Sequence, residues 1–111
     1  MEVKRGDVVL MVAPGELGKP RPSIVVQANE LGDDTTTVLV CPLSSDPRQN
    51  ARLRPPVEPT PANGLRLRSQ IMTDKIVAIN RGRLRGVIGT VDSDTADRLD
   101  QSLLLVLGLA R

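Results

Sequence analysis

Phenylalanine, tyrosine and tryptophan are all absent from this chain of 111 residues. Its core must therefore be built from aliphatic side chains, within a composition that is 40% hydrophobic. The length corresponds to one compact domain, so residues 1–111 are expected to form a single folded unit. Because a domain of this size buries a modest share of its surface, we expect a second copy of the chain to cover some of the remaining apolar surface.

Cys41 is the only cysteine, and the chain contains no histidine. An intramolecular disulfide and a Cys-His nucleophilic pair are therefore both excluded, and the position of Cys41 in an apolar run indicates a buried small hydrophobe. The sequence offers no zinc motif and no convincing carboxylate cluster for magnesium, so no metal or other cofactor is expected. It also shows neither a secretory signal pattern nor an apolar run of membrane-spanning length, which favours the cytoplasm.

Charge is segregated along the chain, although the net charge is only +2. The stretch 48–85 contains nine basic residues and two acids, whereas the stretch 92–100 contains four aspartates and one arginine. A basic middle segment suits a polyanion or an acidic peptide. Arginines that alternate with apolar residues are equally typical of a solvated sheet face, so charge alone leaves both interpretations open.

Short apolar or alternating runs, separated by Gly, Pro, Asn and Asp, predict a series of short strands. The stretch 15–22 carries two glycines and two prolines, which predicts a loop. Basic residues alternate with leucines at 65–68, so the arginines there are expected to share one face. The predicted strands are 8–12, 23–27, 35–43, a short edge strand at 51–54, the segment 65–68 leading into 69–72, and 75–79.

Only the end of the chain has a convincing helical pattern. Asp92 is a suitable N-cap, and Asp94 places negative charge in the first turn, where the helix dipole favours it. Apolar residues then recur at helical spacing from Ala96 to Leu107, and Gly108 is a suitable stop. The sequence therefore predicts a C-terminal helix after a β-rich body.

Several motifs of this chain resemble those of the MazF/PemK toxins, and their order along the sequence covers nearly its whole length. They are KRGDVV at 4–9, RP at 21–22 before IVVQ at 24–27, VCPLSS at 40–45, SQIM at 69–72, RL at 83–84 and the final helix. The resemblance implies a mainly β fold, a small and strongly curved antiparallel barrel-like sheet of the SH3-like kind with a C-terminal helix. It also implies a homodimer that cleaves single-stranded RNA without a metal ion.

The resemblance assigns catalytic roles to Arg21, Ser44 and Glu16. In the implied reaction a ribose 2′-hydroxyl attacks the adjacent phosphate, and a fixed guanidinium at Arg21 stabilises the charge on the non-bridging oxygens. Ser44 matches the hydroxyl that holds the phosphate or orients the 2′-hydroxyl, and Glu16 is the candidate general base. The plainer alternatives are a surface arginine, a turn-forming serine and a solvated loop carboxylate.

RNA contacts are expected from polar and basic residues near the same motifs. They are Lys19, Ser45, Gln70, Thr73, Arg48 and Arg68. Many relatives carry an arginine where this chain has Met72, so one electrostatic contribution is missing or comes from a neighbour. Without aromatic side chains the usual stacking platforms for bases are also absent, which predicts a short or loose sequence preference.

The resemblance implies a protein partner as well as RNA. A cognate antitoxin is expected to lay an acidic, apolar C-terminal segment along the groove at the dimer interface, over the loop 15–22. Two other functions stay open. A CcdB-like gyrase poison shares the fold, but relatives of that kind depend on a C-terminal segment with Trp, which this chain lacks; a noncatalytic RNA- or peptide-binding module is the second.

Overall fold

The computed structural model describes residues 1–15, 18–46 and 53–110. Within these ranges the chain forms seven β-strands followed by one α-helix. The elements are β1 (Asp7–Met11), β2 (Arg21–Val25), β3 (Thr37–Ser44), β4 (Pro56–Val57), β5 (Ser69–Ile71), β6 (Val77–Asn80), β7 (Leu84–Thr90) and α1 (Ser93–Val106). No helix in the described ranges combines the length and the apolarity that crossing a membrane requires.

All strand pairs are antiparallel, and the strands lie in the order β4-β5-β3-β2-β1-β7. The strand β3 is shared on one side by two partners, β6 along its first half and β5 at its end. The predicted fold class, a mainly β protein with a curled antiparallel sheet and one C-terminal helix, is confirmed.

The curl brings the two ends of the sheet together. The loop that follows β4 reaches β7, where the Thr90 N–H donates to the Ala62 carbonyl at 2.9 Å. A Cβ added to Gly89 would collide with the backbone of Ala62 and Asn63, and one added to Gly64 would collide with the Ile88 carbonyl. Backbone therefore packs directly on backbone at this seam, and glycine is required there.

The loop keeps its shape through one buried side chain. The Asn63 amide oxygen accepts the N–H groups of Thr60 at 3.0 Å and Leu65 at 2.9 Å, and its amide nitrogen donates to the Glu58 carbonyl at 2.8 Å. The hydrogen bonds of the buried Asn63 side chain specify one conformation of this proline-rich loop. The loop therefore packs against β7 in a defined position.

Two aliphatic cores lie on opposite faces of the sheet, which follows from the alternation of side chains along each strand. One includes the helix and consists of Val8, Ile24, Val26, Cys41, Val57, Leu65, Ile71, Leu99 and Leu103. The other consists of Val9, Met11, Val25, Val38, Val40, Ile79 and Leu84. Cys41 is fully buried, and burial raises the pKa of its thiol to about 12.

The prediction for the C-terminal helix is confirmed. The Asp92 carboxylate accepts the Thr95 N–H at 2.8 Å, so it caps the first turn. Leu99 and Leu103 bury the inner face of α1. Gly108 ends the helix with φ 73°, a left-handed conformation that favours glycine.

The basic middle of the chain does not form the predicted alternating strands. Residues 65–68 lie outside any strand, and 53–54 form a turn before the short strand β4; residues 51–52 of the predicted edge strand lie outside the described residues. Arg66 and Arg68 are both exposed, and Arg68 forms an ion pair with Glu58, but the predicted alternation is wrong at Leu67, which is 66% exposed. Arg54, whose strand was predicted to alternate in the same way, is buried.

Further strands differ from the sequence prediction. The strand β2 begins at Arg21, inside the predicted loop 15–22, and β3 begins at Thr37 rather than Thr35. The strand β6 begins at Val77 rather than Lys75, because Thr73–Lys75 forms a 3-10 turn. The strand β7 was not predicted at all. It contains two glycines, Gly86 and Gly89, and its pairing with β1 skips Arg85 and Ile88, so that each forms a bulge.

Candidate active site

Arg21 and Ser44 stand at the same end of two neighbouring strands. Ser23 lies opposite Pro42 where β2 pairs with β3. Arg21 is two residues before Ser23, Ser44 is two residues after Pro42, and both still belong to their strands. Because side chains alternate along a strand, Arg21 and Ser44 point to the same face. Neighbouring strands in a sheet lie about 4.8 Å apart, which is the spacing that the register predicts between these two strand ends.

Gln70 extends this arrangement to a third strand. It lies directly opposite Ser44 where β3 pairs with β5. Arg21, Ser44 and Gln70 therefore form a row across β2, β3 and β5, which we call the polar row. Its members differ in depth, since Arg21 is exposed, Ser44 is half-buried and Gln70 is only 9% exposed. The row thus slopes from the surface into the sheet.

The Ser44 hydroxyl also shapes the chain that leaves β3. Its oxygen accepts the Asp46 N–H at 3.1 Å, which is the local turn expected of a serine at a strand exit. This bond uses one lone pair of the hydroxyl and leaves its proton available to donate. The turn role and a role in binding a phosphate are therefore compatible in the same side chain.

Apart from Thr73, the other predicted site residues fall into three groups. Lys19 and Ser45 are exposed next to Arg21 and Ser44 in the chain. Arg68 lies outside β5, where its guanidinium contacts Glu58 and lines a cavity of about 420 Å³ beside the first turn of α1. Glu16 and Arg48 lie outside the described residues.

Thr73 does not offer its side chain to a ligand. It is fully buried, its hydroxyl donates to the Leu53 carbonyl, and Ser102 Oγ lies 2.7 Å from its Oγ1. The predicted RNA contact at Thr73 is therefore wrong, and its role is structural. A hydroxyl that is fully buried and bonded to other protein groups cannot reach RNA. Polar spacing near a site motif does not distinguish an exposed hydroxyl from a buried one.

The sequence interpretation also missed an ion pair between a buried guanidinium and an exposed carboxylate, which links the chain before β4 to the chain after β5. Arg54 is 7% exposed, and its Nε and Nη2 donate to the two carboxylate oxygens of Asp74 at 3.0 and 3.1 Å. The hydrogen bonds from Arg54 lower the pKa of Asp74 below its ordinary value. The signal available in the sequence was one basic and one acidic residue, 20 positions apart, with nothing to mark them as partners.

Met72 follows the polar row on the chain. It is half-buried, and its N–H donates to the Pro42 carbonyl at 2.9 Å, which fastens the end of β5 to β3. The Met72 side chain brings no charge to this end of β5. Within the polar row the cation is Arg21.

Comparison with known proteins assigns the family. The family model described as "PemK-like, MazF-like toxin of type II toxin-antitoxin system" matches residues 4–107. The chain belongs to this toxin family. The resemblance drawn from the sequence motifs is thereby confirmed, and the alternatives of a CcdB-like poison and a noncatalytic module are not favoured.

Two curated members of the PemK/MazF family align over the full chain. "Probable endoribonuclease MazF" of Mycolicibacterium smegmatis is 36% identical over 109 residues, which cover 97% of this chain and 99% of that protein. "Endoribonuclease EndoA" of Bacillus subtilis is 31% identical over 114 residues, covering 98% and 97%. Both are similar in length as well as in sequence.

Solved structures of the PemK/MazF family agree with the fold. The structure titled "Endoribonuclease in complex with its cognate antitoxin from Mycobacterial species" superposes with a TM-score of 0.81 at 20% identity and covers 98% of both chains. At that identity the likeness concerns the fold. The curled sheet with its terminal helix is therefore shared with that structure.

Proposed function

We propose that this chain is a toxin endoribonuclease that cleaves single-stranded RNA without a metal ion. The observation that carries the proposal is the polar row, in which Arg21 and Ser44 lie on one face of adjacent strands. Its support is the name endoribonuclease carried by the two aligned family members.

Each member of the polar row has a distinct role in the proposed reaction. The Arg21 guanidinium donates two hydrogen bonds to the non-bridging oxygens of the phosphate, where negative charge gathers in the transition state. The Ser44 hydroxyl donates to the same phosphate or orients the attacking 2′-hydroxyl. Gln70 supports the phosphate or the adjacent sugar from the deeper end of the row.

The reaction balances without a cofactor. The ribose 2′-oxygen bonds to phosphorus and gives its proton to a base, while the bond from phosphorus to the 5′-oxygen breaks and that oxygen gains a proton. The products are a 2′,3′-cyclic phosphate and a 5′-hydroxyl. We assign the base to Glu16, and we assign RNA contacts to Lys19, Ser45, Arg48 and Arg68.

A cognate antitoxin completes the proposed system. Family structures include an endoribonuclease in complex with its cognate antitoxin and a MazE-MazF complex from Deinococcus radiodurans. For this chain we propose an antitoxin whose acidic segment lies against the exposed cations Arg21 and Lys19 and competes with RNA. RNA phosphates and acidic side chains are both anionic. The same cationic surface can therefore bind either of them.

A homodimer is the proposed assembly. The end of α1 and the residues after it expose a set of leucines in a protein whose own core is entirely aliphatic. They are Leu104 at 45%, Leu105 at 38%, Leu107 at 53% and Leu109 at 57% exposure. Clustered exposed apolar side chains mark an interface. Light scattering after size-exclusion chromatography is expected to give twice the 12.0 kDa chain mass.

The cleavage chemistry is tested with purified protein and a long single-stranded RNA in EDTA. We expect discrete cuts that end in a 2′,3′-cyclic phosphate and a 5′-hydroxyl. A matched oligonucleotide with a single 2′-deoxy sugar at the mapped cut site must stay intact, because the nucleophile is missing. Cleavage of the deoxy substrate, or RNA left whole, would contradict the proposal.

A further inference from the structure

The strand β5, which carries Gln70, is held by very few backbone contacts. It spans three residues and has two paired positions with β3 and two with β4. A strand this short does little by itself to fix its register against its neighbours. The position of Gln70 opposite Ser44 therefore depends on what fixes the chain before β4 and after β5.

One ion pair joins these two connections. Arg54 lies two residues before Pro56, which pairs with Gln70, and Asp74 lies four residues after Gln70. The bidentate bond between them, at 3.0 and 3.1 Å, ties the entry to β4 to the exit from β5. The planar guanidinium fixes direction as well as distance, because both carboxylate oxygens are engaged.

The helix adds a second tie at the same place. The Leu53 carbonyl accepts the Thr73 hydroxyl, and Ser102 Oγ of α1 lies 3.3 Å from that carbonyl. The residues next to both members of the ion pair are thus fastened to each other and to α1.

We propose that Arg54 is a positioning residue of the active site, which acts through Asp74 to hold β5 in register so that Gln70 stays opposite Ser44. The inference rests on the proposed ribonuclease function for its kinetic consequence only. Arg54 itself does not touch the substrate in this proposal, because its guanidinium is buried against Asp74.

Hydrogen exchange tests the positioning without any substrate. The Ile71 N–H donates to the Pro55 carbonyl and the Met72 N–H to the Pro42 carbonyl, both at 2.9 Å, so these two amides report on both edges of β5. In Arg54→Met their exchange is expected to accelerate together, while amides of β1 and β2 keep wild-type rates. If exchange accelerates uniformly over the whole sheet, Arg54 stabilises only the fold in general, and the inference is overturned.

Kinetics with a double variant separate register from stability. Arg54→Met/Asp74→Asn removes both members of the ion pair, and because the Asp74 side chain is 39% exposed, the loss of Tm is expected to be small. Its kcat on single-stranded RNA is expected to stay about 10-fold or more below wild type with KM little changed, since a small misplacement near the reacting atoms is costly. A wild-type kcat in the double variant would overturn the inference.

Arg98→Met is the matched control. It removes the same side chain from an exposed ion pair with Asp94, at 3.3 Å on the surface of α1, and is expected to keep wild-type kcat and wild-type exchange at Ile71 and Met72. If the wild-type protein cleaves no RNA, the proposed function fails and the exchange experiment still decides the positioning. If wild type cleaves and the double variant cleaves equally well, only the positioning fails.

Discussion

Arg21 and Ser44 lie on the same face of β2 and β3, each two residues beyond the paired residues Ser23 and Pro42. A guanidinium and a hydroxyl are thereby held at adjacent strand ends rather than on independent loops. Sites built on regular elements keep their geometry more precisely than sites built on loops. The relationship predicts that the two side chains act on one phosphate.

Substitution of Arg21 should abolish cleavage without unfolding the protein. Arg21→Ala removes an exposed side chain, so we expect Tm to change little, while kcat falls by about 100- to 1000-fold as for loss of a preorganised donor. Arg21→Lys restores the charge but not the bidentate geometry and should recover only part of the rate. Cleavage of a fluorescent single-stranded RNA measures this, and full activity of Arg21→Ala would exclude its catalytic role.

Substitution of Ser44 should separate its two roles. Ser44→Ala loses the bond to the Asp46 N–H, which we expect to cost about 1 kcal/mol of folding free energy. If the hydroxyl also serves the phosphate, kcat drops well beyond the loss of folded protein, and Ser44→Thr restores it. Urea unfolding and RNA cleavage are measured on the same samples. If the alanine variant is less stable but has wild-type kcat when folded, Ser44 has only its structural role in the turn.

The sheet seam is the most sensitive position to a single added methyl group. In Gly89→Ala the new Cβ meets the backbone of Ala62 and Asn63, which cannot move aside without opening the loop, so we expect a loss of roughly 2–3 kcal/mol. Gly82→Ala is the control, because its Cβ would meet only the Asn80 side chain, at 3.2 Å. Chemical denaturation of both variants measures the difference. Equal stabilities would contradict a seam closed by backbone contact.

The features that were predictable from the sequence are the ones set by neighbours along the chain. The helix cap at Asp92 and the stop at Gly108 each depend on a few adjacent residues, and both are found where the pattern places them. The strand β7 was not predicted because glycines such as Gly86 and Gly89 are typical of breaks in a strand. Gly89 is required by a loop that lies far away in sequence, and such a requirement leaves no local signal.

The site shows the same division. The motifs around Arg21 and Ser44 indicated the residues by resemblance, but their common face follows from the register of β2 against β3, which is a long-range property. Thr73 was misassigned and Arg54 was overlooked for one reason. Burial decides the role of a polar side chain, and alternation of basic and apolar residues around Arg54 is the pattern of an exposed face rather than of a buried guanidinium.

The helix cap predicts a specific acid dependence. The Thr95 backbone N–H, and then its hydroxyl, lower the pKa of Asp92 below its ordinary value of 3.8. A carboxyl with a depressed pKa in the folded state stabilises the protein above the unfolded pKa, and this contribution is lost as pH falls through the folded value. Asp92→Asn keeps a capping oxygen but no charge. Wild type should be the more stable at pH 7, and the two Tm values should converge below pH 3.8, whereas a gap that is constant with pH would contradict the assignment.

The buried thiol predicts the opposite dependence at alkaline pH. Burial raises the pKa of Cys41 from 9.0 to about 12, so the folded protein keeps the thiol protonated where the unfolded chain ionises it. Stability contributed in this way is complete below pH 9 and is lost as pH rises toward 12. Relative to Cys41→Ala, the wild-type free energy of unfolding should therefore fall over that interval.

Thiol labelling checks the burial of Cys41 independently. At pH 8 the native thiol should resist iodoacetamide and react fully once guanidinium chloride unfolds the chain, because only an accessible thiolate is nucleophilic. Rapid labelling of the native protein would place Cys41 at the surface instead of in the core.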